Sequence, residues 1–573
     1  MARLEDFQGI EGADFFEQDR GLQVLLDDLM PDGDRNRVFA SLHDCAKLVS
    51  GRWDELAREA SRAENLPRII KYDRAGRPVE RVDFGAHTRQ LRREVAEFGV
   101  LTSGQSNLHR FALVYLLAHN GEASVNCGLS CTDGLIRAIE AVGPDYLRET
   151  YLPLLRSVET PLAGAQFVTE RAGGSDVGAI EAEAVANADG TWAVTGEKWF
   201  CSNPAEYFLV AARPKDARPK GAARGTSGIA IFLVPRVLTD GSLNRISFRR
   251  LKNKLGTQSL PTAEMDFQGA TAYAIGDAGE GFKTLMNYVI NVSRLHNAAN
   301  ACGFLHRAFL EARNYARQRD AFGAALITYP LIQETLVCLL EKLWRYRLLT
   351  FKLAALVDEH GLSPRDQGQA MWQRFLVNLA KYRTGVTLTT SVREAILVLG
   401  GNGIVEDFTI LPRLLRDAMI IETWEGPHNT LCLQICRDLS RQGLADRWRS
   451  EVSRALESWP QDFLSFTREG FEQAFKQTTE ALSKERIANR AWVETHARRL
   501  VDRMGDLLEL AWMSETALRH AGDDRTAALL TSIAGYYLLA HDDRFEHPAL
   551  DAIRQSASSL IEETPSHADV ARL

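Results

Sequence analysis

The stretch that decides the fold is residues 398–436, V-L-G-G-N-G-I-V-E-D-F-T-I-L-P-R-L-L-R-D-A-M-I-I-E-T-W-E-G-P-H-N-T-L-C-L-Q-I-C. A glycine pair, Gly400 and Gly401, ends one apolar helical pattern, and an apolar run then leads to Glu425. Gly426 and Pro427 follow at once. Proline is typical of the start of a helix, where its missing N–H is not needed. The pattern therefore predicts a carboxylate held immediately before a new helix.

Two roles for Glu425 are open on spacing alone. A carboxylate beside apolar neighbours such as Ile421 and Trp424 suits a general base, because desolvation raises carboxyl pKa values towards the working range. A carboxylate on the N-terminal side of a helix also complements the helix dipole, and such groups often have purely structural roles. The choice between these two roles needs the rest of the chain.

Composition bounds the class of protein. The chain has 573 residues, of which 25% are charged and 45% hydrophobic, as in a soluble globular protein of about three or four domains. Its net charge of −7 gives no general attraction to nucleic acid or anionic lipid. The first residues show no signal-peptide pattern, and the longest apolar run, residues 529–540, is too short to span a bilayer.

The eight cysteines indicate a reducing compartment. They are scattered, and the pairs Cys127/Cys131 and Cys432/Cys436 are each spaced by one helical turn without a matching histidine cluster. Buried helix-face thiols fit this pattern better than a zinc site does. We therefore expect no metal and a cytoplasmic location.

Hydrophobic periodicity predicts an α+β protein in four sections. Residues 1–158 form an N-terminal α-helical domain, 159–276 a β domain, 277–440 a helical bundle, and 441–573 a C-terminal helical extension. The long helices of the third section begin with one predicted from about residue 285. The predicted strands of the second section are 181–187, 192–200, 207–213, 228–235, 245–251 and 263–267.

Two segments of the β domain carry candidate chemistry. Residues 166–177, Q-F-V-T-E-R-A-G-G-S-D-V, place hydroxyls and closely approachable backbone N–H groups on one loop, which suits a phosphate or a heteroaromatic edge. Residues 196–203, G-E-K-W-F-C-S-N, predict a strand that ends in an aromatic ring and a hydroxyl. Each signal alone is weak, because many loops and strands contain such residues.

Taken together, the motifs resemble the acyl-CoA dehydrogenase family, and within it the AidB-like branch. Residues 166–177 are similar to the family's C-x-T-E-x-x-x-G-S-D element, and 196–203 to its G-x-K-x-W-I-T-N strand, with Phe200 in place of the frequent tryptophan. Residues 318–323, Q-R-D-A-F-G, are similar to E/Q-R-x-x-F-G. The segments G-G-N-G, L-R-D-A and W-E-G inside 398–436 complete the resemblance.

The resemblance implies a fold, a cofactor and a set of site residues. The fold is an N-terminal helical domain, a central β-barrel or sandwich domain, and a C-terminal helical bundle, here with an extra all-α extension. Glu425 is then the base that takes the α-proton of an acyl-CoA, because Ser293 occupies the position of the alternative catalytic glutamate. The residues implied for FAD are Gln166, Val168, Thr169, Gly174, Ser175, Phe200, Cys201, Ser202, Arg319, Phe322, Gly400, Gly401 and Asn429. Those implied for the substrate are Ser175, Arg294, Trp424 and Gly426.

The family also implies partners and leaves alternatives. Relatives share FAD across an interface, so a homo-oligomer is expected, a dimer of dimers in this branch, with an electron-transfer flavoprotein as acceptor. AidB binds DNA through a basic C-terminal domain, whereas residues 441–573 here carry 17 Lys and Arg against 22 Asp and Glu, so nucleic acid is not an expected partner. The alternatives are a flavoprotein with a nucleic-acid- or protein-binding stress role, and an acyl-CoA oxidase that uses O₂.

Overall fold

The computed structural model describes residues 5, 7–31, 33–215, 225–441, 443–460, 465–520 and 557–563. Its packing divides the chain into two compact units. Unit 1 contains residues 1–51, 107–119 and 297–573, and unit 2 contains residues 52–106 and 120–296. The predicted N-terminal section thus contributes helices to both units, and its boundaries stay predictions.

Helices and strands alternate in blocks along the chain. The helices are α1 (Arg20–Leu29), α2 (Arg35–Ser50), α3 (Arg52–Ala60), α4 (Ala86–Phe98), α5 (Asn107–Leu117), α6 (Asn126–Val142), α7 (Asp145–Leu155), α8 (Gly281–Thr284), α9 (Asn291–Gln318), α10 (Pro330–His360), α11 (Gln367–Val386), α12 (Leu388–Leu399), α13 (Leu411–Thr423), α14 (His428–Leu439), α15 (Leu444–Glu457), α16 (Ser465–Ala481), α17 (Lys484–Ala488) and α18 (Arg490–Arg519). The strands are β1 (Arg68–Tyr72), β2 (Pro78–Asp83), β3 (Gly164–Phe167), β4 (Glu183–Ala186), β5 (Trp192–Ser202), β6 (Tyr207–Pro214), β7 (Ala230–Pro235), β8 (Ile246–Leu251), β9 (Thr262–Ala274), β10 (Asp320–Ala321) and β11 (Ala324–Ala325).

The strands of unit 2 close into a barrel. β6 pairs with β7, β7 with β9, β9 with β5, β5 with β4, and β4 again with β6, so the pairing returns to its starting strand. β3 joins this ring beside β6, and β8 joins it beside β9. A closed ring leaves few unpaired edges. The predicted β domain is therefore a barrel with two attached strands.

Alternation along β6 separates two apolar cores within unit 2. Phe208, Val210 and Ala212 contribute to the cluster that also contains residues of β5 and β9. Leu209 and Ala211 point the other way and belong to a cluster with residues of α6 and α7. Successive side chains of a strand face opposite sides, so both sides of β6 are buried, which explains its nearly continuous apolar sequence.

Two local features differ from the sequence prediction. The predominantly helical prediction for residues 1–158 missed the antiparallel hairpin β1–β2, in which Asp73 accepts hydrogen bonds from the N–H groups of Ala75 and Arg77. Its strands are short and charged, so their alternation was weak. The helix predicted from about residue 285 begins instead with a π-helical turn, Leu285–Ile290, before α9. Such turns interrupt a helix without changing its apolar spacing much.

The extension is anchored in unit 1 by a buried carboxylate on α18. Glu509 is fully buried, and its carboxylate accepts hydrogen bonds from Arg345 Nη1 at 2.5 Å and Arg383 Nε at 2.9 Å. The indole of Trp448 on α15 donates to the Met504 carbonyl on α18 at 3.2 Å. The described part of residues 441–573 is helical, as predicted, while residues 521–556 and 564–573 lie outside the described residues.

The described part of the chain shows neither a membrane-spanning helix nor a metal-binding cluster. Within the described ranges, no helix is both long and apolar enough to cross a membrane, and the apolar run 529–540 falls outside those ranges. The same part of the chain contains no cluster of three or more His, Cys, Asp or Glu side chains arranged to hold a metal ion. The eight cysteines are free thiols, seven of them buried.

Removing the buried charge of Glu509 should lower thermal stability. Glu509→Gln removes the fully buried carboxylate that joins α18 to Arg345 and Arg383, although Arg345 keeps Glu341 and Arg383 keeps Asp506 as partners. Loss of one partner of a buried ion pair costs up to about 3–5 kcal/mol. We expect a clear fall in Tm by differential scanning calorimetry. Glu494→Gln is the matched control on the same helix, because Glu494 forms only an exposed pair with Arg490, worth roughly 0.3–0.5 kcal/mol. Equal Tm values for the two variants would contradict the anchoring role.

Candidate active site

A buried ion pair joins the two motif segments of unit 2. Lys198 Nζ lies 2.6 Å from Glu170 Oε1, and the two side chains are 0% and 2% exposed. The same Nζ donates to the Val168 carbonyl at 3.1 Å, and the Trp199 N–H donates to the Thr169 carbonyl at 2.9 Å. These contacts hold the loop that follows β3 against β5. They therefore set the positions of Val168 and Thr169, which the sequence predicts to face the flavin.

The carboxylate of this pair is also satisfied by backbone donors. Glu170 accepts the N–H of Glu181 at 2.5 Å and the N–H of Ala182 at 3.2 Å. Burial lowers the pKa of Lys198 below its ordinary value, while the nearby Glu170 opposes that shift. A buried pair of this kind is strongly destabilised when one partner is lost, because the other charge then stays uncompensated.

A chain of hydrogen bonds reaches Ser202 at the end of β5. Lys254 Nζ donates to Thr262 Oγ1 at 3.0 Å, and Thr262 Oγ1 lies 3.0 Å from Ser202 Oγ. Lys254 is itself held by the Leu260 carbonyl at 2.8 Å. Because Lys254 can only donate, Thr262 Oγ1 accepts its hydrogen bond and can donate its own O–H to Ser202 Oγ. The Ser202 proton is then available to a ligand, as a flavin-facing hydroxyl requires.

A buried arginine that the sequence analysis missed fixes the next residue. Asn203 is fully buried with a left-handed φ of 54°, and its amide donates to the carbonyls of Leu162 and Gly164 at 2.8 and 2.7 Å. Arg92 Nη1 donates to Asn203 Oδ1 at 2.8 Å, and burial lowers the pKa of Arg92 to about 10. In the sequence, Arg92 lies in a charged helix and gives no signal of burial.

The position of the alternative catalytic glutamate has a structural role here. Ser293 is buried, and its Oγ accepts hydrogen bonds from Gln166 Nε2 at 2.8 Å and Ser130 Oγ at 3.0 Å. Gln166, predicted to bind the flavin, is thereby oriented by α6 and α9. Arg294, predicted to contact substrate, is 5% exposed within the same unit.

The remaining flavin candidates of unit 2 differ in exposure. Phe200 is 51% exposed, with the Lys252 ammonium 4.6 Å from its ring centre. Gly174 and Ser175 are exposed on the loop after Val168. Cys201 is fully buried in the barrel core, because β5 changes register against β9 between residues 198 and 201. A flavin contact of Cys201 stays a prediction and would have to involve its backbone.

Glu425 sits in a strained turn of unit 1. α13 ends at Thr423, Glu425 has a left-handed φ of 57°, Gly426 has a φ of 105°, and α14 begins at His428 after Pro427. Left-handed backbone is uncommon for a residue with a side chain, and such strain is concentrated at functional sites. The Glu425 side chain is half-buried. The sequence prediction of a carboxylate immediately before a helix is confirmed.

The other predicted residues of unit 1 lie on turns. Phe322 and Gly323 form the two-residue turn of hairpin β10–β11 with φ values of 51° and 94°, and the Phe322 side chain is 98% exposed. Arg319 lies directly before this hairpin, Gly400 and Gly401 follow α12, and Asn429 is exposed on α14. Their roles with FAD stay predictions, since no distance between them defines a site.

The donor groups present fit FAD. Unit 2 offers hydroxyls and an exposed aromatic face beside one strand end, and these suit the edge and face of an isoalloxazine ring. In unit 1 the buried indole nitrogen of Trp424 has no hydrogen-bond partner among the described residues. A buried donor of this kind generally has a partner, so it fits a place that a ligand completes.

Comparison with known proteins now identifies the family. The model of the acyl-CoA dehydrogenase middle domain matches residues 165–270, and that of the acyl-CoA dehydrogenase C-terminal domain matches residues 279–440. Acyl-CoA dehydrogenase family member 11 of Caenorhabditis elegans is 31% identical over 487 residues, covering 82% of this chain and 78% of the relative. The chain belongs to the acyl-CoA dehydrogenase family.

Two more relatives agree with this assignment. Putative acyl-CoA dehydrogenase AidB of Escherichia coli is 31% identical over 405 residues, covering 68% of this chain and 71% of the relative. The crystal structure of Caenorhabditis elegans ACDH-11 in complex with C11-CoA superposes with a TM-score of 0.84 at 28% identity and covers 95% of both chains. The predicted fold class, the enzyme class of an oxidoreductase acting on CH–CH bonds, and FAD as cofactor are confirmed at the level of the family.

Loss of the Lys198 ammonium should release the flavin. Lys198→Met leaves Glu170 buried and uncompensated, at a cost of about 3–5 kcal/mol, and it frees the loop that carries Val168 and Thr169. We expect a purified variant with much less FAD per chain than wild type, measured by absorbance after gel filtration. Lys215→Met is the control, because Lys215 pairs with Glu183 at the exposed surface of the same barrel. A Lys198→Met protein with full FAD content would contradict this assignment.

Proposed function

We propose that this family member is an FAD-dependent acyl-CoA dehydrogenase that converts an acyl-CoA to the 2-enoyl-CoA, with Glu425 as the base. The observation that carries the proposal is the strained turn between α13 and α14, which presents the Glu425 carboxylate at the W-E-G motif. A rigidly mounted, half-buried carboxylate suits proton abstraction, because it is already in place before the reaction and loses little conformational entropy in reaching the transition state.

The proposed reaction divides between the chain and its cofactor. The Glu425 carboxylate takes the α-proton of the thioester and leaves electron density on its carbonyl oxygen, where a backbone N–H of the turn would donate, as in the family. When bound, FAD would supply the two-electron acceptor for the β-hydrogen and its electron pair. The Ser202 hydroxyl is hydrogen-bonded to Thr262, which in turn accepts a hydrogen bond from Lys254. Held in this way, it would orient the flavin edge. The residues around Trp424 would exclude water from the reacting carbons.

Assembly and electron acceptor follow from the same proposal. The 98% exposed Phe322 ring and Arg319 beside it suit the adenine and pyrophosphate end of an FAD bound by a second copy of the chain. A homo-oligomer, in this branch a dimer of dimers, is therefore part of the proposal. An electron-transfer flavoprotein is the proposed acceptor of the reducing equivalents.

The substrate class is an acyl-CoA thioester of undetermined chain length. The Caenorhabditis elegans neighbour was solved with C11-CoA, which supports a titration series that brackets eleven carbons. Anaerobic addition of each acyl-CoA to the purified protein should bleach the oxidised flavin band with the preferred chain length. Peroxide formed in air without another acceptor would favour an oxidase. A yellow protein that no acyl-CoA reduces would favour the binding role instead.

Replacing the base should stop the reaction without removing the flavin. Glu425→Gln keeps the size and a polar end but cannot accept the α-proton, and loss of a general base costs ~10²–10⁴-fold in rate. We expect the rate of anaerobic flavin reduction to fall by this factor at unchanged FAD content, measured by stopped-flow absorbance.

A second glutamate provides the control for this substitution. Glu394→Gln makes the same chemical change on α12, where the carboxylate contacts Arg393 at the surface. Its rate should equal that of wild type. A Glu425→Gln protein that reduces its flavin as fast as this control would refute the role of Glu425.

A further inference from the structure

One buried lysine holds the turn that carries Glu425 from both sides. Lys381 on α11 is fully buried, and its Nζ donates to the Glu422 carbonyl at 2.9 Å and to the Gly426 carbonyl at 2.9 Å. The first carbonyl belongs to the last turn of α13, and the second lies directly after Glu425. The ammonium group therefore bridges the backbone across the strained residue.

Lysine suits this place because helix ends leave carbonyl groups unpaired. The last four carbonyls of a helix have no partner within the helix. At the end of α13, Asn297 Nδ2 donates to the Ile421 carbonyl at 3.4 Å, and Lys381 reaches the next one. An ammonium has three donors on a slim stem, and hydrogen bonds from a charged group are stronger than neutral ones. The two carbonyls thus gain a strong common donor.

The Lys381 ammonium donates directly to the carbonyls of this turn, and its charged neighbours fit that role. Burial, with Lys381 and Arg498 as further causes, lowers the pKa of His428 to about 4, so His428 is neutral at neutral pH. The Glu422 carboxylate faces away, since Thr389 N–H donates to its Oε1 at 3.1 Å. A methyl group added at Gly385, one helical turn after Lys381, would lie 4.0 Å from the Glu422 Cα. α11 therefore packs directly against the turn.

We propose that Lys381 is a positioning residue of the catalytic turn, which fixes the Glu425 backbone in its left-handed conformation and so aims the carboxylate. The inference rests on the proposed role of Glu425 but concerns a residue that touches neither substrate nor cofactor. Lys381 acts through the two carbonyls that flank the base. Without the ammonium, both partly buried carbonyls would lose this donor, and the turn would relax from its strained conformation.

The neighbouring residues of α11 connect this support to the extension. Tyr382 OH donates to Asp502 Oδ1 at 2.7 Å, and Arg383 Nε donates to the buried Glu509. Both acceptors lie on α18. One short run of α11 thus contacts the catalytic turn through residue 381 and the extension through residues 382 and 383. The extension stabilises the helix from which Lys381 reaches the turn.

Lys381→Met tests the proposal, with two independent measurements on the holoenzyme. Methionine keeps an unbranched apolar stem of similar length and removes the donors. Hydrogen exchange by mass spectrometry of peptides covering residues 420–430 measures the turn itself. Stopped-flow reduction by the preferred acyl-CoA separates the rate of flavin reduction from the Kd of the substrate. We expect faster exchange at the turn and a ~10–100-fold slower reduction, because small misplacements of a reacting group have effects of that size.

Comparing the rate of flavin reduction with the Kd for acyl-CoA distinguishes a positioning role of Lys381 from general damage to the fold. The Kd for acyl-CoA should change less than about threefold, since the interactions lost serve the transition state rather than uniform binding. FAD content and Tm are measured on the same samples. Lys352→Met is the matched control, because Lys352 is a mostly buried lysine of unit 1 that pairs with Glu515 at 3.5 Å. It should leave the exchange at residues 420–430 and the reduction rate unchanged.

The two measurements also distinguish a failure of this inference from a failure of the proposed function. Unchanged exchange in Lys381→Met, or wild-type reduction by this variant, overturns the positioning role. If wild type is reduced by no acyl-CoA while exchange at the turn still rises in Lys381→Met, the proposed function fails and the support by Lys381 stands. If Lys381→Met does not fold, Lys381→Gln is used in its place, because the shorter amide side chain cannot bridge both carbonyls. Wild-type hydrogen exchange at the turn and a wild-type rate of flavin reduction in Lys381→Gln would overturn the inference.

Discussion

The pair of Lys198 and Glu170 is the interaction on which the contact between the loop after β3 and strand β5 depends. Both charges are removed from water, and each is satisfied by the other and by backbone groups, the Val168 carbonyl for Lys198 and the Glu181 N–H for Glu170. Neither segment defines a binding surface alone. The pair converts two short motifs, distant in sequence, into one rigid edge of the barrel, which explains why a lysine and a glutamate accompany the hydroxyl-bearing residues that face outward.

The same physical solution recurs in unit 1. Asn203 in unit 2 and Glu425 in unit 1 both have left-handed backbone that is unfavourable for residues with side chains. Each is surrounded by a buried cation that donates to nearby oxygen atoms, Arg92 in the first case and Lys381 in the second. In both units, charge-assisted hydrogen bonds from a neighbouring helix thus accompany a residue with left-handed backbone. The cations themselves need not participate in the chemistry.

The sequence predicted the local signals well and the long-range contacts poorly. The helix start after Glu425 followed from Gly426 and Pro427, because the covalent restrictions of these residues act locally. The burial of Arg92 did not, since it depends on partners more than thirty residues away. Cys201 illustrates a third case. Simple alternation could not place its side chain, because the register change in β5 is set by the facing strand.

The contacts of Glu509 bear on where this chain can be divided into fragments. The family match ends at residue 440, and a fragment designed on that boundary would omit α18. Arg383 would then lose its partners Asp506 and Glu509, while Arg345 would keep Glu341 on its own helix but lose the helix that covers it. Such a fragment would expose apolar surface beside the Arg383 charge that α18 neutralises in the intact protein. It would therefore be prone to aggregate or to adsorb polyanions non-specifically, and DNA binding measured on it would say little about the intact protein.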